Sequence, residues 1–310
     1  MGDLFVRISR RDFFTYCSNS SIALAIGATQ LGRLEKAMAA TTGPTVLWLQ
    51  GAACTGCSVS FLNRISPSAP ATAADVLMQT VNLAYHPTLM GASGELAVAQ
   101  ARRAYDAGGY ILCVEGGVPT AFGGNTCLAW TVQGKDTTFQ QAVMDYSARA
   151  AQVISIGTCA SFGGVAAAAP NPTGVKGVSA VTLKNTLNIS GCPPHPDWIV
   201  WAIASLLTNS VGPLDCYNRP VALYGKTVHE QCWRLNAFKA NQHAKQYGQD
   251  NLCLTDLGCH GPTTQSACPS TGWNNMANWC VDANATCLGC TSPAFPFKSI
   301  RRTTNAHESD

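Results

Sequence analysis

The chain has 310 residues, enough for a large core and two domains, yet only 12% of them are charged while 46% are hydrophobic. The charged fraction is about half the roughly 25% usual in soluble proteins, and no apolar run approaches the roughly 20 residues of a membrane span, so a transmembrane anchor is excluded; a broad face covered by a protein partner and an interior filled by cofactors are implied instead. Five of the 20 Lys/Arg lie within residues 1–39; the rest of the chain is close to neutral and carries no nucleic-acid-binding motif, which argues against DNA or RNA as a partner.

At the N-terminus, Ser9-Arg10-Arg11-Asp12-Phe13-Phe14 precedes a modest apolar stretch over 22–28, and Ala37-Met38-Ala39 supplies a small-residue cleavage pattern. Together they predict a twin-arginine export signal over 1–39, a mature chain starting near Ala40 and a periplasmic location. The plain alternative is a basic N-terminal helix. From residue 45 the pattern alternates strand, loop and helix. Strands are expected over 45–50, 76–85, 110–115, 153–157 and 187–190, and helices starting at 58 and over 94–106, 137–151 and 199–207. This alternation predicts an α/β fold with a doubly wound parallel sheet, flavodoxin-like, over 40–212. Near Gly212-Pro213 the alternation stops, and 213–310 is expected to be an irregular C-terminal domain that folds around inorganic clusters.

Cysteine is the strongest chemical signal. Of 15 in the chain, Cys17 leaves with the signal. Cys54-Thr55-Gly56-Cys57, Cys159 and Cys192 are far apart in sequence, but each follows an apolar strand and enters a loop rich in Gly, Pro or small residues. Open parallel sheets bind ligands beyond the carboxyl ends of their strands, so these four are expected to grip one buried cofactor. A second set begins with His229-Glu230-Gln231-Cys232 and continues through Cys253, Cys259, Cys268, Cys280 and Cys287-Leu288-Gly289-Cys290. Thiolates with one imidazole suit iron–sulfur clusters or zinc. In an exported protein, disulfides are a third reading.

Trp48-Leu49-Gln50-Gly51 leading into Cys54-Thr55-Gly56-Cys57-Ser58-Val59, together with Val114-Glu115-Gly116, Gly157-Thr158-Cys159-Ala160, Gly191-Cys192-Pro193-Pro194-His195-Pro196-Asp197-Trp198 and the His229/Cys232 pair, resembles the small, electron-transferring subunit of nickel–iron hydrogenases over essentially the whole chain. The resemblance implies three iron–sulfur clusters. Cys54, Cys57, Cys159 and Cys192 would hold a proximal 4Fe–4S cluster; His229, Cys232, Cys253 and Cys259 a distal 4Fe–4S cluster. Cys268, Cys287 and Cys290 belong to the medial cluster. There Cys280 stands where many relatives have a proline, as in nickel–iron–selenium-type relatives, so the medial centre is expected to be 4Fe–4S in place of 3Fe–4S. The resemblance further implies an obligate heterodimer with a large subunit holding the nickel–iron site, and an external electron carrier such as a periplasmic cytochrome c. No catalytic residue is expected in this chain. Relatives that tolerate oxygen have two further cysteines around the proximal cluster; here those positions are Gly56 and Gly164. The glutamate that many relatives place before the first cysteine is Ala53, and Glu115 is expected to organise a loop or meet the partner. Cys113 is expected to be a buried thiol, and Cys127 and Cys216 either thiols or a disulfide. Two rival readings are a cluster-bearing subunit of the NADH dehydrogenase type without hydrogen chemistry and an exported, disulfide-stapled binding protein.

Overall fold

The computed structural model describes residues 43–66, 70–273 and 275–297. The export signal expected over 1–39 and the polar tail from 298 lie outside the described residues. Five parallel strands form the central sheet: β1 (Thr45–Gln50), β2 (Asn82–Tyr85), β3 (Ile111–Glu115), then β6 (Gln152–Ile156) and β7 (Leu187–Ile189) after a separate hairpin of β4 (Leu128–Val132) and β5 (Lys135–Thr138). The spatial order β2-β1-β3-β6-β7 is that of a flavodoxin-like sheet, in which the strand order reverses between β1 and β3.

Both faces of the sheet are covered, which is why the strands read as continuous apolar runs. Successive side chains of β1 go to opposite faces. Val46 and Trp48 pack with Ile154, Ile156, Phe61 and the buried face of the helix Pro196–Thr208. Leu47 and Leu49 pack on the other side with Ala97, Ala101, Phe139 and Val143 from the helices Gly94–Ala107 and Phe139–Arg149.

Three expectations are corrected. The strand expected over 76–85 begins only at Asn82, because Thr72 and Asp75 form a capping box that starts a helix at Ala73 and continues through a π-turn over Val76–Thr80. This cap outweighs the β-propensity of Val76 and Leu77. The first residues of the helix expected from 137 belong to a hairpin whose two central residues, Gln133 and Gly134, both have positive φ, the type I′ geometry that matches strand twist. Cys159 lies in the first turn of the helix Gly157–Phe162 and not in a loop.

Beyond Thr208 the chain adds no strand to the sheet among the described residues; short helices, Val221–Tyr224, Val228–Gln231, Leu235–Lys239 and Cys268–Thr271, are joined by turns. Two buried arginines substitute for regular ladders. Arg219 pairs with Asp215 at 2.7 Å, donates to the Thr291 carbonyl at 3.0 Å and to Gln265 at 3.1 Å, and lies over the Tyr224 ring. Arg234 donates to the carbonyls of Leu252 and Val281 and to Asn284. A guanidinium with five donors can bind several loop carbonyls at once. Replacing Arg219 by Leu removes the anchor and leaves Asp215, whose side chain is 19% exposed, without its cation, held only by the amides of residues 217 and 219. The expected loss is about 3 kcal/mol, the low end for a broken buried pair, read as a lower urea midpoint for the purified protein.

Candidate functional site

The sheet positions the first cysteine set directly. Cys54 and Cys57 follow β1, Cys159 follows β6, and Cys192 follows β7, all at the carboxyl edge. The thiols are close enough to sense one another: burial first, then the charges of Glu115, Cys159, Cys192 and Cys54, push the Cys57 thiol well above its ordinary range. Burial, followed by the charges of Cys159 and Cys54, raises Cys192 to about 11. Thiolates packed this way would repel each other, and a cation-rich group bound among them would displace the protons.

Glycines leave the space such a group needs. A Cβ on Gly157 would sit 2.5 Å from the Cys57 sulfur, and one on Gly164 2.9 Å from the Cys159 sulfur; both glycines have positive φ, +86° and +53°. A Cβ on Gly56 would lie 3.0 Å from the Cys54 sulfur. Thr55 itself adopts φ 63°, an outlier for a β-branched residue of the kind that persists where surrounding structure enforces it. Gly164 therefore does not merely lack a thiol; its backbone has no room for one without a shift. His195 caps the helix Pro196–Thr208 by accepting from the Asp197 N–H at 3.1 Å, a structural role.

In the C-terminal segment the remaining ligand candidates converge in two adjoining groups. His229 and Cys232 are one helical turn apart, at and just beyond Val228–Gln231. The charges of Cys259 and Cys253 act on Cys232, and the Cβ position of Gly261 is 3.4 Å from the Cys259 sulfur and 3.6 Å from the His229 amide nitrogen. His229 meets Phe238 edge-on at 4.5 Å. The other group is Cys268, Cys280, Cys287 and Cys290. Burial, then the charges of Cys268, Cys287 and Cys280, push the Cys290 thiol well upward. Cys287 is raised to about 12, mainly by burial. Cys259 touches both groups, since its sulfur accepts from the Cys287 N–H at 3.4 Å. Among the described residues no three His, Cys, Asp or Glu side chains close around a single metal ion, and all fourteen described cysteines are free thiols. Cys113 is buried in β3, with its thiol pushed up by burial; Cys127 is half-buried and Cys216 exposed.

Known proteins resemble the chain over both its sheet portion and its C-terminal segment. Residues 54–206 match the family described as "NADH ubiquinone oxidoreductase, 20 Kd subunit", and residues 224–301 match the C-terminal family of the "NiFe/NiFeSe hydrogenase small subunit". The periplasmic [NiFe] hydrogenase small subunit of Solidesulfovibrio fructosivorans is 38% identical, with 93% of this chain and 90% of that protein aligned. The chain belongs to the nickel–iron hydrogenase small-subunit family. The periplasmic [NiFeSe] hydrogenase small subunit of Desulfomicrobium baculatum is 34% identical over 93% of this chain and 96% of that one. A solved [NiFeSe] hydrogenase structure from the same organism superposes with a TM-score of 0.77 at 35% identity, covering 84% of this chain and 98% of the other. The match over 224–301 separates this small subunit from the NADH-dehydrogenase type, whose family model matches only the sheet portion.

One functional residue exceeds what sequence reasoning assigned to it. Glu115, at the end of β3, is buried beneath the Cys54–Cys57 turn and accepts from the Cys57 and Ser58 amides at 3.0 and 3.2 Å. Its signal in the sequence is a carboxylate ending an otherwise apolar strand. The geometry of Gly157 gives a direct test of the first site. Gly157→Ala, strained at φ +86° and in contact with the Cys57 sulfur, is expected to abolish metal loading at this site alone, a loss of about four iron atoms per chain for a cubane, measured by iron analysis of the anaerobically purified protein.

Proposed function

We propose that the chain is the electron-relaying small subunit of an exported nickel–iron hydrogenase, with residues 40–212 forming the sheet domain and 213–310 the C-terminal domain. The observation that carries this reading is the convergence of Cys54, Cys57, Cys159 and Cys192 from three strand ends onto one glycine-lined place. Zinc gives no reason for twelve donors in three sets along one molecule; a relay does. Clusters bound there would supply one-electron redox capacity. Hydrogen is then split or formed at the nickel–iron site of the large subunit, and no residue of this chain binds hydrogen.

The chain's own residues hold and shield the ligands. Trp279 and Val281 are buried against Cys287, and Trp273 donates from its indole to the Pro193 carbonyl at 3.0 Å, closing the gap between the first and third sets. Cys54 is exposed. Beside it, Val59, Leu62 and Ile65 expose 52%, 45% and 73% of their surface, an apolar patch suited to the core of an obligate interface. We place the large subunit there. His229 belongs to the last set of the donor series, where an external carrier such as a periplasmic cytochrome c would take electrons. Among the described residues no helix is long and apolar enough to cross a membrane.

Anaerobic purification tests the reading: iron and acid-labile sulfide for three clusters, together with a co-purifying nickel-containing subunit, are expected, and absence of iron would defeat it. The medial centre is read as 4Fe–4S because Cys280 faces the same group as Cys268, Cys287 and Cys290, and a fourth thiolate retains the fourth iron where proline has no donor atom. Electron paramagnetic resonance of the oxidised protein should therefore show no stoichiometric three-iron signal in the wild type and should show one in Cys280→Pro. Export by the twin-arginine route predicts that replacing Arg10 and Arg11 by lysine leaves both subunits in the cytoplasm; unchanged periplasmic activity after fractionation would refute it.

A further inference from the structure

Glu115 is only 1% exposed, and among the described residues it joins no ion pair. A buried carboxylate without a cation is costly unless donors surround it. Five do. The Cys57 and Ser58 amides reach one oxygen, while the Trp48 indole at 3.0 Å, the Gln50 amide at 2.9 Å and the Ser58 hydroxyl reach the other.

The surrounding network fixes the direction of the hydroxyl. His86 accepts the Thr88 N–H on Nδ1 at 3.1 Å, so its Nε2 is the donor toward Ser58 Oγ at 3.2 Å. Burial also holds the His86 ring neutral, its pKa lowered to about 4. Gln50 adds a second hydrogen bond into the same hydroxyl oxygen at 2.9 Å. With two donors pointing at Ser58 Oγ, the hydroxyl proton goes to Glu115. Every neighbour of Glu115 is thus a donor, the setting that suits an acceptor-only carboxylate.

Two consequences bear on the adjacent thiols. The carboxylate lies directly behind the Cys57 turn, one of its oxygens 3.0 Å from the Cys57 amide nitrogen and 3.2 Å from that of Ser58. In addition, the Cys57 and Ser58 amides are turned toward Glu115 and away from sulfur. Amide hydrogen bonds to cluster sulfurs stabilise the added electron, and diverting them has the opposite effect.

We propose that Glu115 is a positioning residue that also tunes the first site, its fixed charge ordering the Cys57–Ser58 turn and lowering the reduction potential of the group held by Cys54, Cys57, Cys159 and Cys192. This rests on the four-thiolate reading given above. A nearby negative charge opposes reduction of an already negative centre, and low local polarizability strengthens the effect.

The test is a redox titration of the intact heterodimer, monitored by electron paramagnetic resonance, for the wild type, Glu115→Gln and Trp48→Phe. Glu115→Gln removes the charge and keeps the shape; the proximal midpoint should rise by about 59 mV, a tenfold change for one electron, with the medial and distal midpoints unmoved. Trp48→Phe keeps the charge but removes one donor that compensates it, so the same midpoint should fall. A merely structural role gives no such opposite signs. A proximal midpoint that stays or falls in Glu115→Gln overturns the proposal. If that variant does not assemble the site, Trp48→Phe decides alone: a fall supports the tuning role, and no change or a rise overturns it. A wild-type protein without iron at the four cysteines would defeat the cluster reading itself, whereas a loaded site with an unmoved midpoint defeats only the role of Glu115.

Discussion

Thr158 sits where three ligand-bearing segments meet, and its hydrogen bonds fix their relative positions. Its amide donates to the Gly191 carbonyl at 2.9 Å, and its hydroxyl accepts the Gly191 N–H at 2.9 Å while donating to the Cys290 carbonyl. One residue thereby ties the position before Cys159, the position before Cys192 and the Cys290 loop. Ser190 reinforces the seam by donating to the Thr291 carbonyl at 2.9 Å, and Tyr224 donates to the Ser190 carbonyl at 2.7 Å. The relative placement of these cysteine-bearing segments, on which transfer between any groups they hold would depend, is set by hydrogen bonds among buried hydroxyl and backbone groups. A loosely packed surface loop would leave it to chance.

The electrostatics of the site run against those of an ordinary core. Desolvation is the leading cause of the raised thiol pKa at Cys57, Cys159, Cys192, Cys268, Cys287 and Cys290, and neighbouring cysteines add to it at each. Such thiols give up protons only to a strong cationic competitor, so loading releases protons and couples metal binding to the fold. After burial, Glu115 adds to the upward shift at Cys57, and it is itself surrounded by five donors that order the turn.

Much of this was legible in the sequence. Strand β1 is found over the expected 45–50, and β3, β6 and β7 within one or two residues of expectation, because strands covered on both faces carry unbroken apolar runs. The position of Cys54, Cys57 and Cys192 followed from those strands and the rule that ligands gather at their carboxyl ends. What escaped was local chemistry competing with the hydrophobic pattern: the capping box of Thr72 and Asp75 in an apolar stretch, and the turn at Gln133-Gly134, which lacks the usual Asn-Gly signature. The role of Glu115 escaped for another reason. Its five partners come from residues 48, 50, 57 and 58, and only the register of Gln50 against Glu115 in the paired strands brings them together.

The C-terminal segment shows what happens when periodicity is absent. Its local apolar cluster is small, centred on Val228, Trp279, Val281 and Cys287, and the partly buried residues around it include three more cysteines, Cys232, Cys259 and Cys268. So little apolar burial, set against the roughly 1–2 kcal/mol of backbone entropy for each ordered residue, cannot hold long turns in place by itself. Arg219 and Arg234 supply donors to carbonyls that no strand or helix satisfies, and the thiols face inward between those turns. On the relay reading proposed above, cofactor binding would complete a structure whose polar framework is already in position. The sheet would then supply the framework of the first site, while the proposed downstream sites would gain rigidity from the groups they hold.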